Sequence, residues 1–322
     1  MDACGEEMKK KIIATIVGML TFLAVFIYLG PDKILSAIVN ANPFFLLLVI
    51  ANILLLNVIQ TIRFEYVYSK IEKHSRRFLL FLKIQMITNV LNYATPFKSG
   101  ELMKSYLMKK TLRTSHSVGL GVVFLEKVFD FFIIIFLIYL SVLLGGTNGY
   151  DIGKYMFGIT ILFLIISIVT LFVVKKQTKK IIVLIPYIKR FVDTKKIEIF
   201  ETVIKDNINI KNMASISIQT IFLQMGSALR LYLLFLAFGQ SVSLISVSLI
   251  FFVSLLIGII SLLPGGIGSF EVSGLILYTQ ILSIDPIIVG SSLLLMRGMT
   301  YLIDIPIGLY FNMNLKEEYK TI

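Results

Sequence analysis

With a single cysteine, Cys4, in 322 residues, the chain can form no internal disulfide, and its thiol leaves the redox compartment open. Histidine is almost as scarce. His74 and His116 stand between apolar windows and belong to no cluster with metal-ligand spacing, so neither a metal nor a cofactor is expected. No G-x-x-x-x-G-K-[ST] loop occurs, which removes a nucleotide-driven pump built on this chain alone. Charge is the next shortage. Asp, Glu, Lys and Arg make up 16% of the chain against 57% hydrophobic residues. A mean hydropathy of +0.88 is too apolar for a domain whose surface must be wetted. The chain reads as an integral membrane protein, a single polytopic transmembrane domain over residues 1–322.

The charge that is present is lopsided, with 31 Lys and Arg against 19 Asp and Glu and a net +12. In a membrane chain such an excess records basic residues held on the cytoplasmic side against anionic lipid, so lipid and not nucleic acid is the expected partner. Nothing in the sequence fixes an oligomeric state.

Apolar windows long enough to cross a bilayer run at roughly 12–30, 43–62, 117–145, 155–174, 213–238 and 287–311. Lys9, Lys10 and Lys11 ahead of the first window resemble a signal peptide, but the apolar run to Leu29 has no small-x-small cleavage site and reads as a spanning helix. Two further apolar regions are interrupted. One, about 78–112, breaks between Pro96 and Gly100, and the other, about 246–284, breaks at LLPGGIGSFE, residues 262–271.

Loop charges thread these segments. The N-terminal lysines, the segment with Lys70, Lys73, Arg76 and Arg77, the basic loop at about 175–212, and Lys316 and Lys320 all belong on the cytoplasmic side, which puts both termini inside. If 78–96 crossed outright, Lys104, Lys109, Lys110 and Arg113 would lie outside, against the rule the other loops obey. The first broken segment therefore dips in and returns, and the same reckoning makes the second start and finish outside. In both, proline leads glycine by four positions, Pro96 to Gly100 and Pro264 to Gly268, with Glu101 and Glu271 just beyond. The expected fold is an all-α polytopic membrane protein of about six spanning helices plus two oppositely oriented broken, re-entrant helical hairpins, in the manner of an inverted repeat.

Irregular backbone at membrane depth is tolerated only inside protein or against a water-filled cavity. A break also frees amides at the start of the next half-helix, where an anion is favoured. Gly265, Gly266 and Gly268 would let backbone approach a bound group closely, although a tight turn between tilted helices needs the same glycines. Glu101 and Glu271 fit a capping role in the first turn that follows, compatible with a second role in binding a cation or a proton.

Charges inside spans are costly and face the bundle interior. Glu126, Lys127 and Asp130 in FLEKVFDFF lie roughly 14 to 20 Å from the inner helix end, with the two acids on one face. Arg297, about 16 Å into the last span, shares a face with Asp304, and Arg230 sits in the span before. Glu126, Asp130 and Glu271 are the acids Arg297 could meet in a structural bridge; otherwise its planar fork suits a phosphate. Arg63, at the end of the second span, reads as a snorkelling residue with its head in water.

TPFKSGELMKSYLM, FLEKVFD, LLPGGIGSFE and LLMRGMTYLIDIPIGLY, in this order, resemble the transmembrane region of lysylphosphatidylglycerol synthases, the flippase-like membrane protein family, over about residues 10–313. The resemblance implies movement of a lipid across the bilayer of a bacterial or archaeal cell. The family's lysyl-transferring domain has no counterpart in these residues, so aminoacylation of phosphatidylglycerol is not expected of them. Lysines 98, 104 and 127 stand where arginine is expected, which keeps the charge and gives up bidentate phosphate binding.

The leading expectation is a translocase for a lipid or lipid-linked head group. Lys98, Gly100, Lys104, Arg297 and the backbone of both breaks would hold an anionic head group, with Glu101, Glu126 and Glu271 balancing charge or taking up protons. Two other readings stay open: a membrane-embedded enzyme or accessory subunit acting on a lipid-linked phosphate or sugar, for which carboxylates but no distinctive nucleophile are present, and a small-solute or ion transporter.

Overall fold

The computed structural model describes residues 30–71, 77–94, 100–145, 209–261 and 266–320, with a few isolated positions beside them. Pro96, Lys98, Pro264 and Gly265, the windows at 155–174 and most of 12–30, and nearly all of the basic loop lie outside the described residues.

Among the described residues every regular element is a helix: α1 Pro31–Val39, α2 Pro43–Ser69, α3 Phe78–Ala94, α4 Gly100–Leu112, α5 His116–Leu143, α6 Ile210–Ala237, α7 Leu244–Ile260, α8 Ser269–Leu282 and α9 Pro286–Lys320. The starts follow from local chemistry. Asn42, Ser115 and Asn209 accept backbone N–H bonds from Phe44, Val118 and Asn212, satisfying amides that the first turns of α2, α5 and α6 would otherwise leave open. Pro31 and Pro43 occupy first-turn positions whose N–H has no helical partner in any case.

Helices α2, α6 and the Pro286–Leu315 part of α9 are long and apolar enough to span a bilayer. At 28 residues α5 has the length as well, about 42 Å, but carries Glu126, Lys127 and Asp130. The pairs α3–α4 and α7–α8 are antiparallel hairpins of shorter arms. Asn92 meets Glu101 across the first. In the second, Gly258 lies against Gly266, Ser254 against Gly274, and the Tyr278 hydroxyl donates to the Val247 carbonyl.

Both hairpins pack along α9 and point at each other. Glu271 near the tip of α8 meets Arg297, and Gly274 further back meets Leu293. Tyr93 near the tip of α3 meets Tyr301 and Asp304, and Met86 and Val90 further back meet Gly308. The second hairpin therefore follows the first half of α9 and the first hairpin the second half. Their tips arrive within one turn of each other, between Arg297 and Tyr301, at the middle of the Pro286–Leu315 span. This is the oppositely oriented arrangement that the loop charges require.

The packing divides accordingly. One apolar core joins Val49 and Ile53 of α2 to Ile133–Ile138 of α5, Ala228–Phe235 of α6 and the second hairpin. The other joins Phe64–Tyr68 of α2 to Val118–Phe129 of α5, Ile216 of α6 and the first hairpin. Between the two cores runs a polar layer in which Asn57, Thr61 and Arg63 of α2, Glu126 of α5, Thr220 of α6 and Asp304 of α9 are all buried. Polar groups at that depth persist only when paired within the protein, and the layer pairs them with one another.

Candidate functional site

The polar layer is built around the two hairpin tips, and each tip is closed by a glycine set against the opposite arm. A Cβ on Gly100 would stand 2.6 Å from the Asn92 backbone nitrogen, so only glycine lets α4 start beside the last turn of α3. At the second tip Gly266 and Gly268 have φ of +67° and +89°, values that L side chains rarely adopt, and Gly266 faces Gly258 backbone to backbone.

Each return helix then places a glutamate in its first turn, and each glutamate meets a cation on the long helix that follows. Glu101 pairs with Lys127 of α5 at 2.8 Å and accepts from the Asn92 amide at 3.2 Å. Glu271 pairs with Arg297 of α9 and accepts the Gly268 N–H at 2.7 Å, the capping arrangement of its position in the helix. Lys127 and Arg297 each lie 26 positions beyond their glutamate, so hairpin plus following helix forms a repeated unit. The two units enter the polar layer from opposite sides.

Around the first tip the described charges are paired. Lys104 and Glu126 are 1% and 2% exposed and pair at 2.6 Å, with the Lys104 ammonium 3.8 Å from the centre of the Phe64 ring. Arg63 bonds Asp130 at 2.5 Å and Thr220 at 3.0 Å, and its Nε lies 3.8 Å from Glu126. Lys127 also reaches Asp130 at 3.6 Å and is the open member of the group, its side chain 42% exposed. Among the described residues, three cations and three carboxylates thus share one cluster across α2, α4 and α5.

Around the second tip Arg297 donates to the Tyr301 hydroxyl at 3.3 Å and lies 5.5 Å from the Phe270 ring centre. Of the three acids considered for it, it meets Glu271. Arg230 donates to Asn52 at 3.2 Å and Thr300 at 2.9 Å. Asp304 accepts from Asn57 at 2.7 Å and from the Tyr93 hydroxyl at 2.5 Å.

The structure thus brings Gly100, Glu101, Lys104, Glu126, Lys127 and Asp130 to the first tip, and Gly266, Gly268, Glu271 and Arg297 to the second, with Arg230 and Asp304 between α2, α6 and α9. Pro96, Lys98, Pro264 and Gly265 fall outside the described residues. Arg63 departs from expectation. It is 2% exposed instead of snorkelling, because α2 continues to Ser69 and holds it one and a half turns inside the helix, facing the α5 carboxylates. Tyr93, Asn57, Gln85 and Asn89 join the layer without having been expected there from the sequence. The signal for the three amides was their place inside apolar segments, since such groups need partners at membrane depth as charges do.

The family model for the lysylphosphatidylglycerol synthase TM region matches residues 12–308. A UPF0104 membrane protein of Methanocaldococcus jannaschii is 24% identical over 328 residues, covering 97% of each chain. A UPF0104 membrane protein of Methanothermobacter thermautotrophicus is 24% identical over 290 residues, covering 84% of this chain and 85% of its own. A shorter match, 37% identical over 93 residues, links 27% of this chain to 39% of a second Methanocaldococcus jannaschii UPF0104 protein. The two broken hairpins and the polar layer between them therefore belong to a multi-pass membrane protein of the lysylphosphatidylglycerol synthase TM-region family.

Proposed function

We propose that this protein moves an anionic lipid, or a lipid-linked anionic head group, between the leaflets of the cell membrane. The observation that carries the reading is the meeting of two opposed hairpin tips at the middle of α9, each closed by a glutamate–cation pair. A head group crossing a bilayer must leave one aqueous face, pass a polar site at mid-depth and reach the other face. Opposed hairpins whose tips end at that depth provide one approach from each side. Two oxygens of a phosphate can take the Arg297 fork in place of the Glu271 carboxylate, opening the second tip as the anion binds. Lys127, half-exposed beside the first tip, is placed to receive the anion from the other side. Lys104 is held by Glu126 inside the charged cluster, while the glycine backbone at both tips allows close approach. The family's link to lysylphosphatidylglycerol synthases agrees with a phospholipid substrate.

The test is a reconstitution. Purified protein in phosphatidylcholine vesicles carrying a trace of fluorescent phosphatidylglycerol is treated with an impermeant quencher. The wild type should expose inner-leaflet probe to quenching, and Arg297→Ala, assembled and monodisperse, should fall to the rate of protein-free vesicles. Normal movement by a well-folded Arg297→Ala protein would count against the reading.

A further inference from the structure

The structure assigns Asp304 as a proton-carrying group that couples lipid movement to a transmembrane proton gradient, an inference that rests on the translocase reading above. Among the described residues, every other acid of the polar layer has a cation within ion-pair distance: Glu101 has Lys127, Glu126 has Lys104, Asp130 has Arg63 and Glu271 has Arg297. Asp304 forms no ion pair among the described residues: its hydrogen-bond partners are the Asn57 amide on one oxygen and the Tyr93 hydroxyl on the other, Arg230 acts on it only through space, and it is 1% exposed. A carboxylate buried at membrane depth without a paired cation is the group whose charge a proton most readily removes.

The groups that face it from the packed helices leave that role to it. From α3 comes Tyr93, whose ring lies on Tyr301 of α9 itself. From α6 comes Arg230, bound to Asn52 and Thr300. From α8 comes Glu271, occupied by Arg297, and α2 offers Asn57 there while its Arg63 is bound to Asp130. Ile34 is the buried residue of α1, whose Asp32 and Lys33 are exposed. The amide series from Gln85 through Asn89 to Asn57 hands donors toward Asp304 and orients its carboxylate, but amides in series relay no proton.

Tyr93 gives the proton its mechanical effect. It lies in the last turn of α3, at the tip of the first hairpin, and its bond to the carboxylate is a short charge-assisted one. When a hydronium ion from one aqueous face gives up its proton, an O–H bond forms on the carboxylate, water is left behind, and the carboxylate charge is neutralised. The Tyr93 bond is then reduced to an ordinary neutral one, which loosens the hairpin tip from α9. Loss of the proton to water at the other face restores the charge and the bond. One proton crosses per cycle.

The test uses the same vesicles with an imposed pH gradient, compared with sodium gradients and no gradient. Wild-type protein should move the probe faster under the pH gradient alone. Asp304→Asn should lose that acceleration, moving the probe at the same rate with and without the pH gradient, and Tyr93→Phe, which keeps the ring, should weaken it. Lipid movement indifferent to pH gradients, or driven by sodium, overturns the assignment while leaving the translocase intact. If the wild type moves no lipid at all, the translocase reading fails by itself. Infrared difference spectra of the purified protein then decide the proton site: a carboxylic-acid band should appear reversibly on acidification and be missing from Asp304→Asn, and its absence from the wild type overturns the assignment.

Discussion

Tyr93 and Tyr301 lie ring against ring, centroids 4.4 Å apart, where the tip of the first hairpin reaches the middle of α9. Because Arg297 donates to Tyr301 and pairs with Glu271, this contact ties one hairpin tip to the other through a single helix face. Arg297, Tyr301 and Asp304 fall at i, i+4 and i+7 on that face, so movement of either tip is felt by the residues that hold the other.

The Lys104–Glu126 pair should behave as a buried ion pair. Glu126→Gln leaves the Lys104 ammonium without its closest carboxylate, and a loss of about 3 to 5 kcal/mol is expected, read as lowered resistance to denaturation in detergent. Replacing both partners, Lys104→Met with Glu126→Leu, should recover much of that loss, since Arg63 keeps Asp130. A double variant no more stable than Glu126→Gln would contradict the pairing.

Arg63 is bound to Asp130 and Thr220 and lies beside Glu126, a geometry that a guanidinium fork satisfies and an ammonium does not. Arg63→Lys should therefore destabilise by roughly 1 to 3 kcal/mol although charge is kept. Thermal unfolding of the two proteins side by side checks this. A residue with its head in water would tolerate the exchange.

How much of this was legible in the chain differs from residue to residue. The hairpins were, because a proline–glycine break within an apolar run and a basic excess on fixed loops are local properties that threading can use. Glu126, Lys127, Asp130, Arg297 and Asp304 were, because any charge at that depth demands an interior position. Their partners were not. Which acid meets Arg297, and whether Arg63 faces water or Asp130, depends on which helices are neighbours, and periodicity within one helix carries no such information. The length of α2 decided the second case, since the apolar window ends before Arg63 while the helix runs on to Ser69.

Two glycines of α9 should respond oppositely to alanine. A Cβ at Gly308 would lie 2.8 Å from the Met86 carbonyl oxygen and 2.5 Å from Val90, forcing α9 away from α3 at a cost of about 1 to 3 kcal/mol. Nothing stands within 4 Å of a Cβ at Gly298, where alanine should stabilise the helix by up to about 1 kcal/mol. Unfolding midpoints of the two variants settle the contrast.

Glu271 both caps α8 and pairs with Arg297, and two substitutions separate these roles. Glu271→Gln keeps an acceptor for the Gly268 N–H and removes the charge, whereas Glu271→Ala removes both. The alanine variant should be the less stable by about 1 kcal/mol, the ordinary worth of a helix cap. Equal stabilities would mean that the cap contributes nothing.

The central claim, that the two hairpins enter from opposite faces and neither crosses, is tested most directly by cysteine accessibility in a Cys4→Ser background. Single cysteines at Arg77 and Ser115 flank the first hairpin, and those at Ser241 and Ser283 flank the second. An impermeant thiol reagent added to one side of sealed vesicles should label Arg77→Cys and Ser115→Cys together, and Ser241→Cys and Ser283→Cys only from the other side. If Arg77→Cys and Ser115→Cys label from opposite faces, α3 and α4 form a kinked crossing helix, and the meeting of two tips at mid-membrane is contradicted.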